Sequence, residues 1–207
     1  MSKIVVVGTD TDIGKTIFAA GLTRALGAHY LKPVQSGLEG ETDSQVVARL
    51  SGQPVLPEFV RLKLPASPHI SAEAEGTSID PSDIEIPSID APLVIEGAGG
   101  LLVPLNRETL YLDLIASWQL PVVLCARTQL GTINHSLLSL RALQEAGCQT
   151  VGIAFIGDAK PEVEQTIIDF GNTHHLGRLP RLDPLTPDTL ATAFENIDIA
   201  RIQEAMQ

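Results

Sequence analysis

The sequence predicts an α/β fold in which a mostly parallel β-sheet carries helices on both faces. Two observations support this prediction. Short β-branched runs bounded by Gly or Pro alternate with longer stretches of helical period, and several of the runs are almost entirely apolar. Parallel strands joined by crossover helices produce this alternation, and strands covered on both faces have no polar side. A chain of 207 residues suits one core, so a single domain over 1–207 is predicted.

Six strands and six longer helices are predicted in order along the chain. Apolar residues recur at three- and four-residue steps in most of the helices, and a Gly follows several of them, as left-handed helix ends require. The predicted strands are Ile4–Gly8, His29–Val34, Pro92–Gly97, Val122–Ala126, Val151–Ile156 and His175–Pro180. The predicted helices are Gly14–Leu26, Asp43–Leu50, Leu110–Trp118, Ile133–Ala146, Pro161–Phe170 and Pro187–Met206.

The segment 53–91 is predicted to be an irregular, Pro-rich excursion. It holds six of the 14 Pro residues and shows no sustained period, and one short helix is predicted near Ser71–Glu75. Excursions of this length in a compact domain commonly cover a site.

Charge and cysteine usage exclude several classes of function. The net charge is −11, so the mean field of the protein repels nucleic acid and anionic membranes. Cys125 and Cys148 both lie in apolar stretches, and neither a signal peptide nor an apolar run of membrane-spanning length is present. We therefore expect a cytoplasmic protein with reduced cysteines and without nucleic-acid or membrane partners.

The strongest chemical signal is the segment Gly8-Thr-Asp-Thr-Asp-Ile-Gly-Lys-Thr16, between the first strand and the first helix. Glycines let backbone N–H groups turn toward phosphates, and the helix N-terminus adds a positive dipole. Lys15 is predicted to reach the outer phosphates and Thr16 to bind Mg²⁺. The fold is therefore predicted to be of the P-loop NTPase type. Five residues, rather than the common four, separate the two glycines; the predicted nucleotide contacts here are Asp12, Ile13, Gly14, Lys15 and Thr16.

The carboxyl ends of parallel strands lie along one edge of the sheet, here called the rim, and the phosphate loop begins at that edge. Three more charged residues are predicted at this rim. Glu96 ends an apolar run and precedes Gly97-Ala-Gly-Gly100, where backbone at Gly99 can approach a ligand closely. Asp43 opens the second helix and is as consistent with a helix N-cap as with a metal ligand. Lys32 ends the second strand and, taken alone, fits a side chain that extends to solvent. Beside a phosphate loop, these residues are predicted to surround one magnesium nucleotide.

Five segments, in order, resemble the dethiobiotin synthetase family over nearly the whole length. They are the lengthened loop Gly8–Thr16, Lys32-Pro-Val-Gln-Ser-Gly37, Ser67-Pro-His69, Glu96-Gly-Ala-Gly-Gly100 and Gly131-Thr-Ile-Asn-His135.

The resemblance implies an ATP-dependent cyclo-ligase of biotin synthesis. The implied reaction converts 7,8-diaminopelargonate and CO2 to dethiobiotin through a carbamate and a carbamic-phosphoric anhydride, with release of ADP and phosphate. Lys15 and Lys32 would stabilise the transferring phosphoryl group, and Thr11 and Ser36 complete the implied catalytic set. Thr16, Asp43 and Glu96 would hold Mg²⁺, and Asp12 and Ser36 would orient the diamine.

The resemblance further implies a homodimer with shared active sites. In the family, the segment equivalent to Gly131–Asn134 binds the distant carboxylate of the substrate from the neighbouring subunit. Gly131, Thr132, Ile133 and Asn134 are therefore implied substrate contacts. Backbone N–H groups at a helix start attract an anion, whereas the alternative is that Thr132 merely caps the helix.

The nucleobase site departs from the family pattern. In the family, an Asn commonly lies just beyond the fifth strand and binds the adenine edge, but here neither Ile156 nor Gly157 offers a side-chain amide. Gly177, Leu179 and Pro180 belong to a segment that resembles the other part of the base site. ATP is the expected nucleotide, with GTP and CTP left open.

Two alternative functions remain to be weighed. One is a cobyrinic-acid-synthase-like ATP-dependent ligase, which is disfavoured because no glutaminase domain is attached. The other is a nucleotide-switch ATPase of the partitioning or septum-positioning type. Those ATPases use an early Lys in the phosphate loop, where this chain has Thr9-Asp-Thr-Asp12.

Overall fold

The computed structural model describes residues 2–207, and six strands within this range form one parallel sheet. The strand order is β2-β5-β1-β6-β7-β8, so the first strand of the chain lies near the middle. The predicted α/β class is confirmed. The strands of the described residues are β1 Lys3–Gly8, β2 His29–Leu31, β3 Val34–Ser36, β4 Val60–Leu62, β5 Leu93–Glu96, β6 Val122–Arg127, β7 Thr150–Ile156 and β8 His175–Leu179.

Helices cover both faces of this sheet. Along β1, Ile4 and Val6 pack into one apolar cluster, whereas Val5 and Val7 pack into another. This alternation follows from the two-residue period of a strand. The helices are α1 Lys15–Leu26, α2 Asp43–Ser51, α3 Pro68–Ala74, α4 Tyr111–Trp118, α5 Thr132–Glu145, α6 Pro161–Gly171, α7 Pro187–Phe194 and α8 Ile199–Ala205. The first cluster includes residues of α1, α2, α7 and α8, and the second includes residues of α3 to α6.

The second strand is shorter than predicted. Instead of one strand over His29–Val34, β2 ends at Leu31, and β3 begins at Val34 and pairs with β4 in a separate two-stranded sheet. Pro33 lies between them and has no N–H group to donate to a sheet. Its carbonyl oxygen instead accepts hydrogen bonds from the N–H groups of Phe59 and Val60, both at 3.1 Å. The break takes Lys32 out of the strand.

The Pro-rich segment contains more regular structure than predicted. It holds β4, α3 and a 3₁₀ turn at Pro81–Asp83. The short helix predicted near Ser71–Glu75 is found as α3, which begins three residues earlier and ends one residue earlier, at Pro68–Ala74. The start of the segment pairs with β2. The carbonyl oxygen of Tyr30 accepts a hydrogen bond from Leu56 N–H at 2.8 Å, and Tyr30 N–H donates one to the carbonyl oxygen of Pro54 at 3.0 Å. The segment therefore covers the outer edge of β2.

The C-terminal helix is interrupted, contrary to the prediction of one helix over Pro187–Met206. The backbone of Asp198 donates to Leu176 of β8 at 2.9 Å, and its side chain accepts from Arg201 N–H at 3.0 Å. The Asp198 side chain thus caps α8 while its backbone binds the edge of the sheet. No helix among residues 2–207 is long and apolar enough to cross a membrane.

We expect Gly21→Ala in α1 to destabilise the fold. A Cβ at Gly21 would overlap the ring of Phe194 in α7. Overpacking costs about 1–3 kcal/mol, which outweighs the gain of about 1 kcal/mol from replacing a helical Gly. Urea unfolding should show a lower free energy of unfolding than in the wild type. In a Phe194→Leu background the loss should shrink, and an equal loss in both backgrounds would contradict this account.

Candidate active site

The phosphate loop joins β1 to α1 with two residues in the left-handed region. Asp12 has φ 54° and Gly14 has φ 97°. The side chain of Lys15 crosses Gly8 closely, since a Cβ at Gly8 would lie 2.6 Å from Lys15 Cδ. Lys15 Nζ donates to the carbonyl oxygen of Asp10 at 2.7 Å. The lysine therefore folds back over its own loop, and Gly8 provides the space for it.

The structure brings Lys32, Asp43 and Glu96 together at the rim. Lys32 Nζ lies 2.6 Å from Asp43 Oδ2 and 2.9 Å from Glu96 Oε1. It also donates to the carbonyl oxygen of Gly97 at 3.0 Å. The ammonium group of Lys32, the residue after β2, thus contacts the start of α2 and the end of β5.

Glu96 is fully buried, and its carboxylate accepts hydrogen bonds from three side chains. Thr16 Oγ1 donates to Oε1 at 2.9 Å, and the Tyr30 hydroxyl donates to Oε2 at 2.8 Å. Together with Lys32 they compensate for the loss of water around a buried charge. Tyr30 has no assigned role in the sequence analysis, because a Tyr in a short apolar strand is typical of core.

Two interpretations left open by the sequence are wrong. Asp43 is not the N-cap of α2, because Thr42 occupies that position and forms a capping box with Gln45. Lys32 does not extend to solvent, since only 4% of its side chain is exposed. Both residues point instead to the shared cluster.

The two lysines have opposite pKa shifts. Burial lowers the pKa of Lys15; Glu96 raises it in part, and the charge of Lys32 lowers it further. Burial also acts to lower the pKa of Lys32, but the charges of Glu96 and Asp43 outweigh burial and the pKa is raised. Burial and the neighbouring Glu96 raise the pKa of Tyr30, which keeps its hydroxyl proton for the bond to Glu96.

The donor set at this rim fits Mg²⁺ bound together with a nucleotide. Thr16, Asp43 and Glu96 offer only oxygen atoms, which hard cations prefer. Within residues 2–207 no group of three or more His, Cys, Asp or Glu residues could hold a metal alone. A magnesium ion commonly takes one or two carboxylates together with substrate phosphates and water. These residues therefore match a metal that arrives with phosphate.

Other predicted residues lie around the cluster. A Cβ at Gly99 would come within 3.4 Å of Thr11 Oγ1, so the glycine loop after β5 packs directly on the phosphate loop. Ser36, the last residue of β3, has a buried Oγ with no hydrogen-bond partner in the part of the chain that the structure describes. An unpartnered hydroxyl is a group that a ligand could satisfy.

A cavity of about 490 Å³ adjoins the other side of the phosphate loop. Asp12, Ile13 and Gly14 line it, and Ile156 packs against Gly14, whose Cβ would lie 2.9 Å away. Three cationic side chains also line this cavity and were not predicted as site residues, namely Arg127, Lys160 and Arg181. Arg127 is the last residue of β6, and Lys160 and Arg181 come after β7 and β8, where ligand sites of parallel sheets lie. In the sequence alone, each of them fits an ordinary surface residue.

Comparison with known proteins decides the family. A family model described as an AAA domain matches residues 2–189. The ATP-dependent dethiobiotin synthetase of Agrobacterium fabrum is 60% identical over 195 residues, which cover 93% of this chain and 92% of that protein. The enzymes of Rhodopseudomonas palustris and Brucella ovis are each 57% identical over the same shares of the chains. The chain belongs to the dethiobiotin synthetase family.

Solved structures with a fold similar to that of this chain include proteins of other families. A ParA family ATPase from Chlorobium tepidum has a TM-score of 0.59 at 12% identity, covering 100% of this chain and 98% of the ATPase. The cell division ATPase MinD of Pyrococcus furiosus also has a TM-score of 0.59, at 15% identity, covering 99% of this chain and 98% of MinD. At such identities the similarity shows a P-loop NTPase-like fold and nothing finer.

The predicted base-site residues Gly177, Leu179 and Pro180 of this dethiobiotin synthetase family member do not line the loop cavity. A Cβ at Gly177 would clash with the carbonyl oxygen of Asn196, and Leu179 is buried in the core. Gly177 and Pro180 line a second cavity of about 520 Å³ with Glu164 and other residues of the β8 region. The structure does not place these residues on the wall of the phosphate-loop cavity, and their role toward nucleotide stays a prediction.

The segment Gly131–Asn134 begins α5 as predicted, but Thr132 does not cap the helix. Gly131 occupies the N-cap position with φ 93°, and no side-chain capping bond is found there within the described residues. Thr132 is buried, and its Oγ1 lies 3.4 Å from Ser136 Oγ. Leu130 is fully exposed beside this helix start, and Ile133 is 36% exposed.

We expect Lys15 to lose its proton at a lower pH than an ordinary lysine and Lys32 at a higher one. Lysine side-chain NMR from neutral pH to about pH 11 checks this order. Because the folded chain disfavours charged Lys15, its contribution to stability increases as pH rises from its lowered pKa to the ordinary value. The contribution of Lys32 is present at neutral pH and is lost only when pH rises through its raised pKa. Titration of Lys32 before Lys15 would contradict the assigned contacts.

Proposed function

We propose that this protein is an ATP-dependent cyclo-ligase that makes dethiobiotin from 7,8-diaminopelargonate and CO2, with release of ADP and phosphate. Membership of the dethiobiotin synthetase family supports an ATP-using, dethiobiotin-forming ligase of biotin biosynthesis. The observation that carries the residue-level proposal is the contact of Lys32 with Asp43 and Glu96 beside Thr16 of the phosphate loop.

The reaction forms three bonds in sequence. One substrate amine takes up CO2 as a carbamate, and a carbamate oxygen attacks the γ-phosphorus of ATP, expelling ADP. The second amine then attacks the carbonyl carbon of the mixed anhydride, expels phosphate and closes the cyclic urea. Each step develops negative charge on oxygen, which preorganised cations stabilise.

Lys15 and Lys32 are the proposed catalytic cations. Burial lowers the pKa of Lys15, whereas the carboxylates around Lys32 raise its pKa, so that Lys32 keeps its charge throughout neutral pH. Each Nζ has protein oxygens as present partners, and phosphate oxygens can replace those partners as hydrogen-bond acceptors. Lys15 would then contact the outer phosphates and Lys32 the transferring phosphoryl group and the anhydride.

We further propose that Thr16, Asp43 and Glu96 bind Mg²⁺, which when bound would neutralise charge on the phosphates. Because the Tyr30 hydroxyl donates to Oε2 of Glu96, the carboxylate keeps its orientation while Oε1 faces the proposed metal site. The same hydrogen bond fixes the end of β5.

Thr11, Asp12 and Ser36 are the proposed contacts of the diamine and the carbamate. The buried, unpartnered Ser36 hydroxyl supports this role, as does the position of Thr11 against Gly99. Holding the carbamate in line with the γ-phosphate converts a bimolecular encounter into a unimolecular step.

ATP is the proposed nucleotide, bound by residues 12–16 with Gly99 and by Gly177, Leu179 and Pro180. Gly157 offers no side-chain amide, and both of its backbone groups are already engaged. Its N–H donates to Leu179 at 2.9 Å and its carbonyl oxygen accepts from Arg178 at 3.2 Å. Because base selection depends on polar groups free to pair, weak discrimination against GTP and CTP follows.

A homodimer is proposed in which Gly131, Thr132, Ile133 and Asn134 bind the substrate carboxylate of the neighbouring subunit's site. Exposed Leu130, just before α5, and exposed Leu138, in the middle of α5, support a partner at this surface. A cytoplasmic location is proposed as well, which the two free cysteines fit.

The alternative functions are less well supported. Partitioning and septum-positioning ATPases share the fold at 12–15% identity, whereas the dethiobiotin synthetases are 57–60% identical over nearly the whole chain. No comparison favours a cobyrinic-acid-synthase-like ligase.

Incubation with ATP, Mg²⁺, bicarbonate and 7,8-diaminopelargonate should yield dethiobiotin, detected by mass spectrometry.

Lys15→Ala should lower kcat by about two to three orders of magnitude, as for loss of a transition-state charge partner. Lys32→Ala should lower kcat similarly and also lower the free energy of unfolding by about 3–5 kcal/mol, because it leaves buried Glu96 without its cation. Absence of product from folded wild-type protein would overturn the proposed function, and near-normal kcat would remove that lysine from the mechanism.

Mixed dimers test the shared site. Lys15→Ala and Asn134→Asp each disable one half of every composite site, so a mixed dimer regains one intact site. Unfolding and refolding an equimolar mixture should restore about a quarter of wild-type activity, since half of randomly formed dimers are mixed. An activity no higher than the mean of the two variants would show that each subunit works alone.

A further inference from the structure

Asp10, in the middle of the phosphate loop, is held by three contacts. Its Oδ1 accepts the N–H of Thr11 at 2.8 Å, and its carbonyl oxygen accepts Lys15 Nζ at 2.7 Å. Its Oδ2 lies 3.4 Å from Nη2 of Arg127. One residue thus connects a loop N–H group, the proposed catalytic lysine and an arginine from another strand.

The positions of Arg127 and Asp10 are fixed independently. Arg127 is the last residue of β6 and pairs with Ile156 of β7. Two residues earlier, Cys125 accepts the N–H of Thr9 at 3.0 Å, which fixes the start of the loop against the same strand. On its other side, Asp10 packs against the glycine loop, since a Cβ at Gly100 would lie 3.8 Å from Asp10 Cα.

A carboxylate at this place opposes the function of the loop. The loop must receive a polyphosphate, and a negative side chain within it repels that ligand. The Asp10 side chain is 47% exposed and that of Arg127 is 32% exposed, so both reach the surface where the ligand would lie. Arg127 also lines the 490 Å³ cavity that adjoins the loop.

We propose that Arg127 is a positioning residue for the nucleotide phosphates and acts through Asp10. It cancels the charge of Asp10 and holds that residue so that Lys15 and the loop N–H groups keep their places. The inference rests on the proposed function, because the phosphates concerned are those of the nucleotide that the ligase consumes.

Three variants test this pair. Arg127→Gln removes the cation, Asp10→Asn removes the carboxylate charge while keeping an oxygen for Thr11 N–H, and the third variant combines them. Calorimetry measures the Kd for Mg·ATP, steady-state kinetics gives KM and kcat, and thermal unfolding monitors the fold. Arg24→Gln is the matched control, since it removes a cation from an ion pair with Asp188 of α7 at the end of α1 that is opposite the phosphate loop.

Arg127→Gln should raise the Kd and the KM for ATP about three- to tenfold, with a smaller change in kcat, because a partly exposed charge contributes modestly. Asp10→Asn should change the Kd little. The double variant should recover most of the lost affinity, Arg127→Lys should retain most of it, and Arg24→Gln should match the wild type.

Two results would overturn the inference. One is unchanged affinity in Arg127→Gln; the other is a double variant as weak as Arg127→Gln, which would mean that Arg127 binds phosphate directly. Wild-type protein that binds no Mg·ATP would instead contradict the proposed function, so the two failures are distinguishable.

Discussion

The buried carboxylate of Glu96 is the constraint on which the rest of the site depends. A charge without solvent contact must be surrounded by donors, and here they come from the start of α1, from β2 and from the residue after β2. Those donors are 64 to 80 residues from Glu96 in sequence. The cluster therefore joins the phosphate loop, the second strand and the fifth strand at one edge of the sheet.

Several other features follow from this cluster. The break at Pro33 takes Lys32 out of the sheet, where its ammonium can reach both Asp43 and Glu96. Thr42 caps α2 in place of Asp43, which leaves the Asp43 carboxylate available to the lysine. The ParA and MinD proteins share the scaffold at low identity. The shared sheet therefore does not by itself determine an activity.

Local patterns in the sequence predict three features. Alternating strand and helix periods predict the parallel sheet, and a Gly-rich turn predicts the phosphate loop. Polar residues at strand ends predict that Lys32, Asp43 and Glu96 lie together. Features that depend on distant partners were not predictable. Tyr30 looks like core until Glu96 is opposite it. The break before α8 depends on Leu176 binding Asp198. β4 has three residues and forms only because β3 lies beside it. The sequence does not show that Arg127 pairs with Asp10, because the two residues are brought together only by the fold.

The separate β3–β4 pair gives the two halves of the site unequal local stability. Each strand contributes three residues, and the pair lies outside the six-stranded sheet that holds the phosphate loop. Small units with few ladder bonds open at lower free energy than central strands. The central strand that leads into the phosphate loop is accordingly held more firmly than β3, the strand that bears Ser36. Amide hydrogens of this pair would therefore exchange with solvent sooner than those of β1.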